Sequence, residues 1–151
     1  GLPTIVEANT PLYRWGARVS IYSGLPTVIG WDWHQTQQRN AGGRGVIEQR
    51  MQDVQAIYNG TSLDEALDLL AKYQVRYLIV GELERSLFEP AGIAKFQGLL
   101  QRGAAELVYE SPEGMRDGPS GEPAVRIYRL KPAQGAESPA PWGAAPEGGD
   151  A

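Results

Sequence analysis

The stretch VRYLIVG, residues 75–81, is almost continuously apolar. Such a run predicts a strand in the middle of a sheet covered on both faces, because a half-exposed strand alternates apolar and polar residues. Two β-branched runs, residues 4–8 (TIVEA) and 27–30 (TVIG), are bounded by proline and glycine and are also predicted to be buried strands. The chain therefore needs helices to cover a sheet.

Four segments between these runs have apolar residues at steps of three and four, the spacing of an amphipathic helix. They are residues 13–23, 45–58, 63–70 and 93–100. The third begins with a capping box, in which Ser62 and Glu65 satisfy backbone amides reciprocally, and the fourth is stopped by Gly103. The first is ambiguous, since VSIY alone fits a strand, and we interpret it as a short helix followed by a loop.

The end of the chain has a different pattern. Residues 106–110 and 124–130 read as two strands joined by a long loop rich in glycine and proline. The prediction is an α/β fold with a mostly parallel sheet flanked by helices and a C-terminal antiparallel hairpin. Residues 1–132 form one domain in this prediction, and the proline-, glycine- and alanine-rich residues 133–151 form a mobile tail.

Composition excludes several classes of function. The chain has 151 residues, a formal net charge of −4, a pI near 5.0 and no cysteine. An acidic chain of this kind argues against a nucleic-acid partner, and without cysteine there is no disulfide framework. No apolar run approaches the roughly 20 residues that span a bilayer. The first residue is not methionine, so we expect the chain to be a piece of a longer protein or a processed product.

Polar side chains follow three of the predicted strands. The residues in question are Glu7 and Asn9, then Trp31, Asp32, Trp33 and His34, then Glu82, Glu84 and Arg85. In sheets with parallel strands, ligands collect beyond the carboxyl ends, so these groups would converge if the three strands are parallel neighbours. The plain alternative for Glu82 and Glu84 is a solvated strand end.

The residues at this edge of the predicted sheet give only weak support for a catalytic site. A zinc site built from Asp32, His34 and Glu82 would have a single histidine, whereas catalytic zinc usually takes a histidine-rich ligand set. A hydrolytic triad would pair His34 with Ser20 or Ser23, and neither serine lies in a nucleophile-elbow pattern. A carboxylate site for a hard cation lacks ligand-loop spacing. We therefore predict no catalytic residue, no metal ligand and no cofactor in this chain.

The stretch GWDWH, residues 30–34, has two interpretations. In the structural one, Trp31 and Trp33 cover the end of the core while Asp32 caps the next helix and His34 bonds nearby. In the binding one, the rings stack on a carbohydrate while Asp32 and the neighbouring amides bind hydroxyl groups. Arg18 would then add a charge partner for a phosphate or for Asp32.

The order of segments resembles a known family. The quoted segments are RVSIYSGLPTVIGWDWHQTQQR, DVQAIYNG, ALDLLAKYQVRYLIVGELER and AKFQ, followed by the terminal hairpin. Over residues 3–130 they resemble the C-terminal soluble portion of the YYY-type multi-pass membrane proteins of bacteria and archaea. That family is similar to C-type membrane glycosyltransferases, which transfer sugars from lipid-linked donors. GWDWH also has a looser likeness to the Trp-Trp-Asp-Tyr-Gly motif with which oligosaccharyltransferases hold an acceptor peptide, although the order differs and His34 replaces the final glycine.

The resemblance implies an extracytoplasmic domain whose partner is the membrane domain of the same polypeptide. Catalytic acids of such enzymes usually lie in the membrane portion, so the domain would bind or position an acceptor, a glycan or a lipid-linked sugar without being catalytic alone. The predicted binding residues are Arg18, Trp31, Asp32, Trp33, His34, Glu82 and Glu84. The alternative is a purely structural domain of a membrane protein.

Overall fold

The computed structural model describes residues 1–10, 16–38, 44–112 and 123–132, without the side chains of Trp33 and Gln38. The described strands are β1 (Thr4–Val6), β2 (Val75–Gly81), β3 (Ala105–Glu110) and β4 (Val125–Leu130). The described helices are α1 (Arg18–Ser23), α2 (Asp32–Gln38), α3 (Arg44–Asn59), α4 (Leu63–Lys72), α5 (Glu82–Leu87), α6 (Pro90–Ala94) and α7 (Gln97–Gln101). The predicted mobile tail, residues 133–151, lies outside this part of the chain.

The four strands form one sheet in the order β1-β2-β4-β3. β1 pairs with β2 in parallel, and β4 runs antiparallel to both β2 and β3. A parallel bridge from Ile5 to Thr27 adds a further parallel contact on the outer side of β1. The predicted α/β fold, with helices beside a sheet and an antiparallel hairpin at the C-terminus, is confirmed, while two of the three pairings between the described strands are antiparallel rather than parallel.

The apolar run of β2 lies where its composition predicts. β2 has β1 on one side and β4 on the other. Its consecutive residues Leu78 and Ile79 are 0% and 3% exposed, and successive strand side chains point to opposite faces. Both faces of β2 are therefore covered, which explains the lack of alternation in the sequence.

The strand predicted over residues 27–30 is wrong in extent. Thr27 forms a single bridge, although Val28 and Ile29 beside it are buried as expected. The Ile5 N–H donates to Pro26 O at 2.8 Å and the Val28 N–H donates to Ile5 O at 3.2 Å. The ladder stops there because β1 is only three residues long and leaves a neighbouring segment nothing further to pair with.

Helices α3 and α4 confirm the amphipathic spacing. The buried side of α3 includes Ile47, Val54 and Tyr58, and that of α4 includes Leu70. The Ser62 hydroxyl accepts a hydrogen bond from the Glu65 N–H at 3.3 Å, so the helix begins at its predicted cap. These local signals and the buried faces agree, as expected for helices that pack on one core.

Two helical regions differ from the prediction. The single helix expected over residues 93–100 is divided into α6 and α7, joined by a turn in which the Phe96 N–H donates to Ile93 O. Phe96 is fully buried there, and the Lys95 ammonium donates to Ile57 O, which holds the turn against the end of α3. Helix α5, which begins directly after β2, was not predicted.

Candidate functional site

The structure brings together Glu7 and Glu84, both predicted to lie at strand ends, and Arg18, predicted as a charge partner in the binding site. Glu7 follows β1, Arg18 begins α1 and Glu84 lies in the first turn of α5. The Arg18 guanidinium Nη2 is 3.9 Å from Glu84 Oε2. Glu7 and Glu84 are 2% and 1% exposed, so this edge of the sheet holds two buried carboxyl groups beside a half-buried cation. We call these three residues the carboxylate cluster.

Glu7 caps a helix that has no cap of its own. Ala17, at the start of α1, has a left-handed backbone with φ of 54° and no side chain that can bond an amide. The Glu7 carboxylate instead accepts the N–H groups of Val19 and Ser20, each at 2.9 Å. These are donors that a helix N-terminus leaves without an internal partner. Glu7 therefore joins the end of β1 to the first turn of α1.

Burial raises the pKa of Glu7 above its usual value, and the two amide hydrogen bonds offset only part of that effect. Because the folded pKa exceeds the unfolded one, the stability contributed by Glu7 is greatest below pH 4.5 and is lost as pH rises through the folded pKa. We expect the difference in unfolding free energy between wild type and Glu7→Gln to grow in favour of wild type as pH falls towards 4.5. Urea unfolding of both proteins across this pH range measures it, and a difference that shrinks on acidification would contradict it.

Glu84 joins the ends of β1 and β2. Its Oε1 accepts the Ala8 N–H at 2.9 Å, and its Oε2 accepts the Gly81 N–H at 2.7 Å. Gly81 is the residue that caps α5, so the carboxylate holds that helix start against the neighbouring strand. The interpretation of Glu84 as a solvated strand end is wrong. Glu82, two residues earlier, is exposed and fits that interpretation.

Two neighbouring polar residues also bind backbone carbonyl groups. The Arg85 guanidinium donates to Pro123 O at 2.8 Å and to Ala124 O at 2.6 Å, at the entry to β4. The Asn9 side-chain amide donates to Gly30 O at 3.2 Å, directly before the GWDWH tryptophans. Both side chains hold segments at this edge of the sheet in place.

The second group of predicted residues forms an aromatic surface at the start of α2. Trp31 is 49% exposed, and its indole N–H donates to Gly16 O at 3.1 Å. The His34 ring lies 5.2 Å from the Trp31 ring, centre to centre, and is tilted by 36°. His34 is exposed as well. We call the two rings the Trp31 platform; the side chain of Trp33 lies outside the described part of the structure.

Asp32 does not act as the helix cap in the way its position suggested. Asp32 is the first residue of α2. The residue before it, Trp31, accepts the Gln35 N–H at its backbone oxygen at 3.1 Å and so occupies the cap position. Among the described residues, no backbone amide donates to the Asp32 carboxylate. The Asp32 side chain is half-buried, next to Trp31 in the chain.

The segment from Gly16 to Arg18 connects the two groups. Gly16 O holds the Trp31 indole, and two residues later Arg18 reaches Glu84. Gly16 is itself closely enclosed, since a Cβ built there would lie 2.2 Å from Thr10 Oγ1. The Trp31 platform is therefore attached to the buried carboxylate cluster through a segment with little room to move.

Among the described residues, no three histidine, cysteine, aspartate or glutamate side chains are grouped so that they could hold a metal ion. Within the same part of the chain, no helix has both the length and the apolar character to cross a membrane.

Comparison with known proteins adds a likeness of fold. No family model matches the chain, and no curated protein matches it. Among solved structures, the chain is similar to the C-terminal globular domain of oligosaccharyltransferase from Archaeoglobus fulgidus, with a TM-score of 0.45 and 11% sequence identity. The similarity covers 86% of this chain and 86% of that chain.

Sequence reasoning missed two residues that support this edge of the sheet. The Tyr58 hydroxyl contacts Val6 O at 3.1 Å and Ile79 O at 2.7 Å, and so ties α3 to both parallel strands. The Arg50 guanidinium donates to Val28 O at 3.2 Å and braces the segment that leads to Trp31. The apolar spacing of α3 identified Tyr58 as a core residue, but no local signal indicates where its hydroxyl points.

Proposed function

We propose that this chain is a domain that binds or positions a carbohydrate acceptor for a membrane-bound glycosyltransferase-like protein, and that it is not catalytic alone. The observation that supports the proposal is the Trp31 platform. Its main ring is half exposed while the indole N–H is held by Gly16 O. A ring fixed in this way loses little conformational freedom when it stacks on a sugar, which favours binding.

Polar groups surround the platform as a sugar would require. His34 and Gln37 are exposed, and Asp32 and Gln35 are half-buried. Together they offer amide and imidazole donors and carboxylate acceptors, which can bond hydroxyl groups around a stacked ring. Arg18, with its side chain 33% exposed, adds a cation near the same segment for the phosphate of a lipid-linked sugar.

The carboxylate cluster supports a non-catalytic role for the chain itself. Glu7 and Glu84 are 2% and 1% exposed and bind backbone amides, so neither carboxyl group is within reach of a substrate. The proposal therefore limits the binding site to the Trp31 platform, its polar neighbours and Arg18. Glu84 is left as a structural residue.

The wider setting in this proposal follows the resemblance to the YYY-type membrane proteins. The chain would face the extracytoplasmic side of a membrane, and its partner would be the membrane domain of the same polypeptide. That membrane domain would supply the catalytic acids and the lipid-linked donor.

Calorimetric titration with neutral oligosaccharides and a polyprenyl phosphosugar tests the proposal. We expect Trp31→Ala to weaken binding about tenfold or more, because the lost stacking surface corresponds to at least one decade of affinity. The matched control is Tyr109→Ala, which removes an aromatic side chain that is similarly exposed, at 46%, on β3. Binding by wild type that survives Trp31→Ala unchanged, or no binding by wild type at all, would reject the proposal.

A purely structural role is favoured by one observation, the hydrogen bond from the Trp31 indole to Gly16 O. If that bond is the reason for the tryptophan, Trp31→Ala lowers the unfolding free energy, and the protein binds none of the sugars. Thermal unfolding of Trp31→Ala and Tyr109→Ala, compared with the sugar titration, therefore separates the structural role from the binding role.

A further inference from the structure

A second surface of the chain is more strongly exposed than the Trp31 platform. Leu2, Ile21 and Tyr22 are 68%, 56% and 79% exposed, the largest values among the described large apolar side chains. Leu2 lines an open groove with Leu25 and Pro26, on the chain that leaves α1. We call these five residues the α1 patch.

Helix α1 has no buried residue, although three of its six residues, Val19, Ile21 and Tyr22, are apolar or aromatic. It is held at its two ends instead. Glu7 binds its first amides, and Gly24 ends it with a left-handed backbone at φ 71°. The next residues return at once to the sheet, where Pro26 O accepts the Ile5 N–H at 2.8 Å. The α1 patch is thus presented on a fixed support with its apolar side chains facing solvent.

The α1 patch carries no side chain that is charged at neutral pH. Residues 19–31 and residues 2–6 contain no aspartate, glutamate, lysine, arginine or histidine. The two serine hydroxyls of α1 beside the patch already have partners in the chain, because Ser20 Oγ donates to Leu25 O at 2.7 Å and Ser23 Oγ donates to Val19 O at 2.5 Å. Moving this surface out of water therefore leaves no charge and neither of these serine hydroxyls to be compensated.

We propose that the α1 patch inserts into the boundary between headgroups and acyl chains of a lipid bilayer. Tyr22 suits this boundary, because its ring enters the apolar region while the hydroxyl stays hydrated. The net charge of −4 disfavours attraction to an anionic surface, so a zwitterionic lipid is the fitting partner. A protein partner fits less well, because protein interfaces use about ten direct hydrogen bonds and the serines of α1 are already bonded internally.

This inference rests on the proposed function, which holds the domain near a membrane. It adds an orientation, in which α1 and the start of β1 face the bilayer. Trp31, whose indole is bound to Gly16 just before α1, would then lie close to the membrane surface, where a lipid-linked sugar presents its headgroup.

Flotation of the whole chain with phosphatidylcholine vesicles tests the inference. We expect the wild type to float with the vesicles and Ile21→Asp/Tyr22→Asp to lose about tenfold or more of this partitioning, because two apolar side chains are replaced by charges. The control, Leu107→Asp/Tyr109→Asp, adds the same charges at the exposed positions of β3 and should float as wild type does. Circular dichroism of all three proteins establishes that each is folded.

Three results would overturn the inference. They are a wild type that stays with the aqueous fraction, a wild type that floats only when the vesicles contain anionic lipid, and equal losses in both double variants. Dimerisation abolished by the α1 substitutions, without vesicle binding, would assign the surface to a second copy instead. The sugar titration of Trp31→Ala is independent of these results, so the inference can fail while the proposed function stands.

Discussion

Tyr58→Ala is expected to lower the unfolding free energy by about 3–5 kcal/mol, the range found when a buried aromatic side chain is truncated to alanine in a core. The Tyr58 ring is 0% exposed and stacks on Phe88 with the ring centres 4.6 Å apart. Phe96 meets it edge-on at 5.7 Å. The substitution removes the centre of this aromatic cluster and both hydroxyl contacts to the parallel strands.

Tyr58→Phe separates the ring from the hydroxyl. It keeps the stacking and removes only the contacts to Val6 O and Ile79 O, so we expect a loss of about 1–2 kcal/mol. Urea unfolding followed by circular dichroism measures both variants under the same conditions. Equal losses for the two variants would show that the ring packing adds nothing to stability and would contradict the prediction for Tyr58→Ala.

Glu84→Ala is expected to cost about 3–5 kcal/mol of unfolding free energy, because it leaves two buried amides without an acceptor. The Ala8 N–H and the Gly81 N–H have the Glu84 carboxylate as their partner, and Glu84 itself is 1% exposed. The effect should appear at neutral pH as a lower midpoint of urea unfolding. It should also loosen the start of α5, where hydrogen exchange of the Gly81 amide would report it.

The matched control for Glu84 is Glu82→Ala. Both residues lie in the first turn of α5, but Glu82 is exposed, so its loss should change the unfolding free energy by no more than about 0.5 kcal/mol. A binding role for Glu84 gives the opposite pattern, with sugar affinity reduced and stability retained. Similar stability for the two variants would therefore contradict the structural assignment.

Local patterns in the sequence account for the helices α3 and α4 and for the central strand β2. Each rests on residues close together in the chain, such as the cap formed by Ser62 and Glu65 or the unbroken apolar run before Gly81. Such signals act within a few residues, so a single sequence contains them. Helix α5 escaped prediction because the run of β2 leads straight into it, although Glu84 three residues after Gly81 is a capping signal that could have indicated it.

The candidate site was predictable only in outline. Placing polar residues beyond the strand ends identified Glu7, Glu84 and the GWDWH stretch, and the structure joins Glu84 to Arg18. The sequence could not reveal that the Glu84 carboxylate accepts the Ala8 N–H, because those two residues are 76 positions apart. The same limit applies to Tyr58, whose hydroxyl partners at Val6 and Ile79 are 52 and 21 positions away.

The sequence by itself determined the class of the fold and the position of its central strand. These properties depend on periodicity and composition, which the chain expresses locally. Only the tertiary structure decided that Glu7 and Glu84 are buried against backbone amides, that Trp31 is half exposed and that α1 lies uncovered. Burial is a property of contacts between distant segments, and a residue's chemical type does not specify which distant group will cover it.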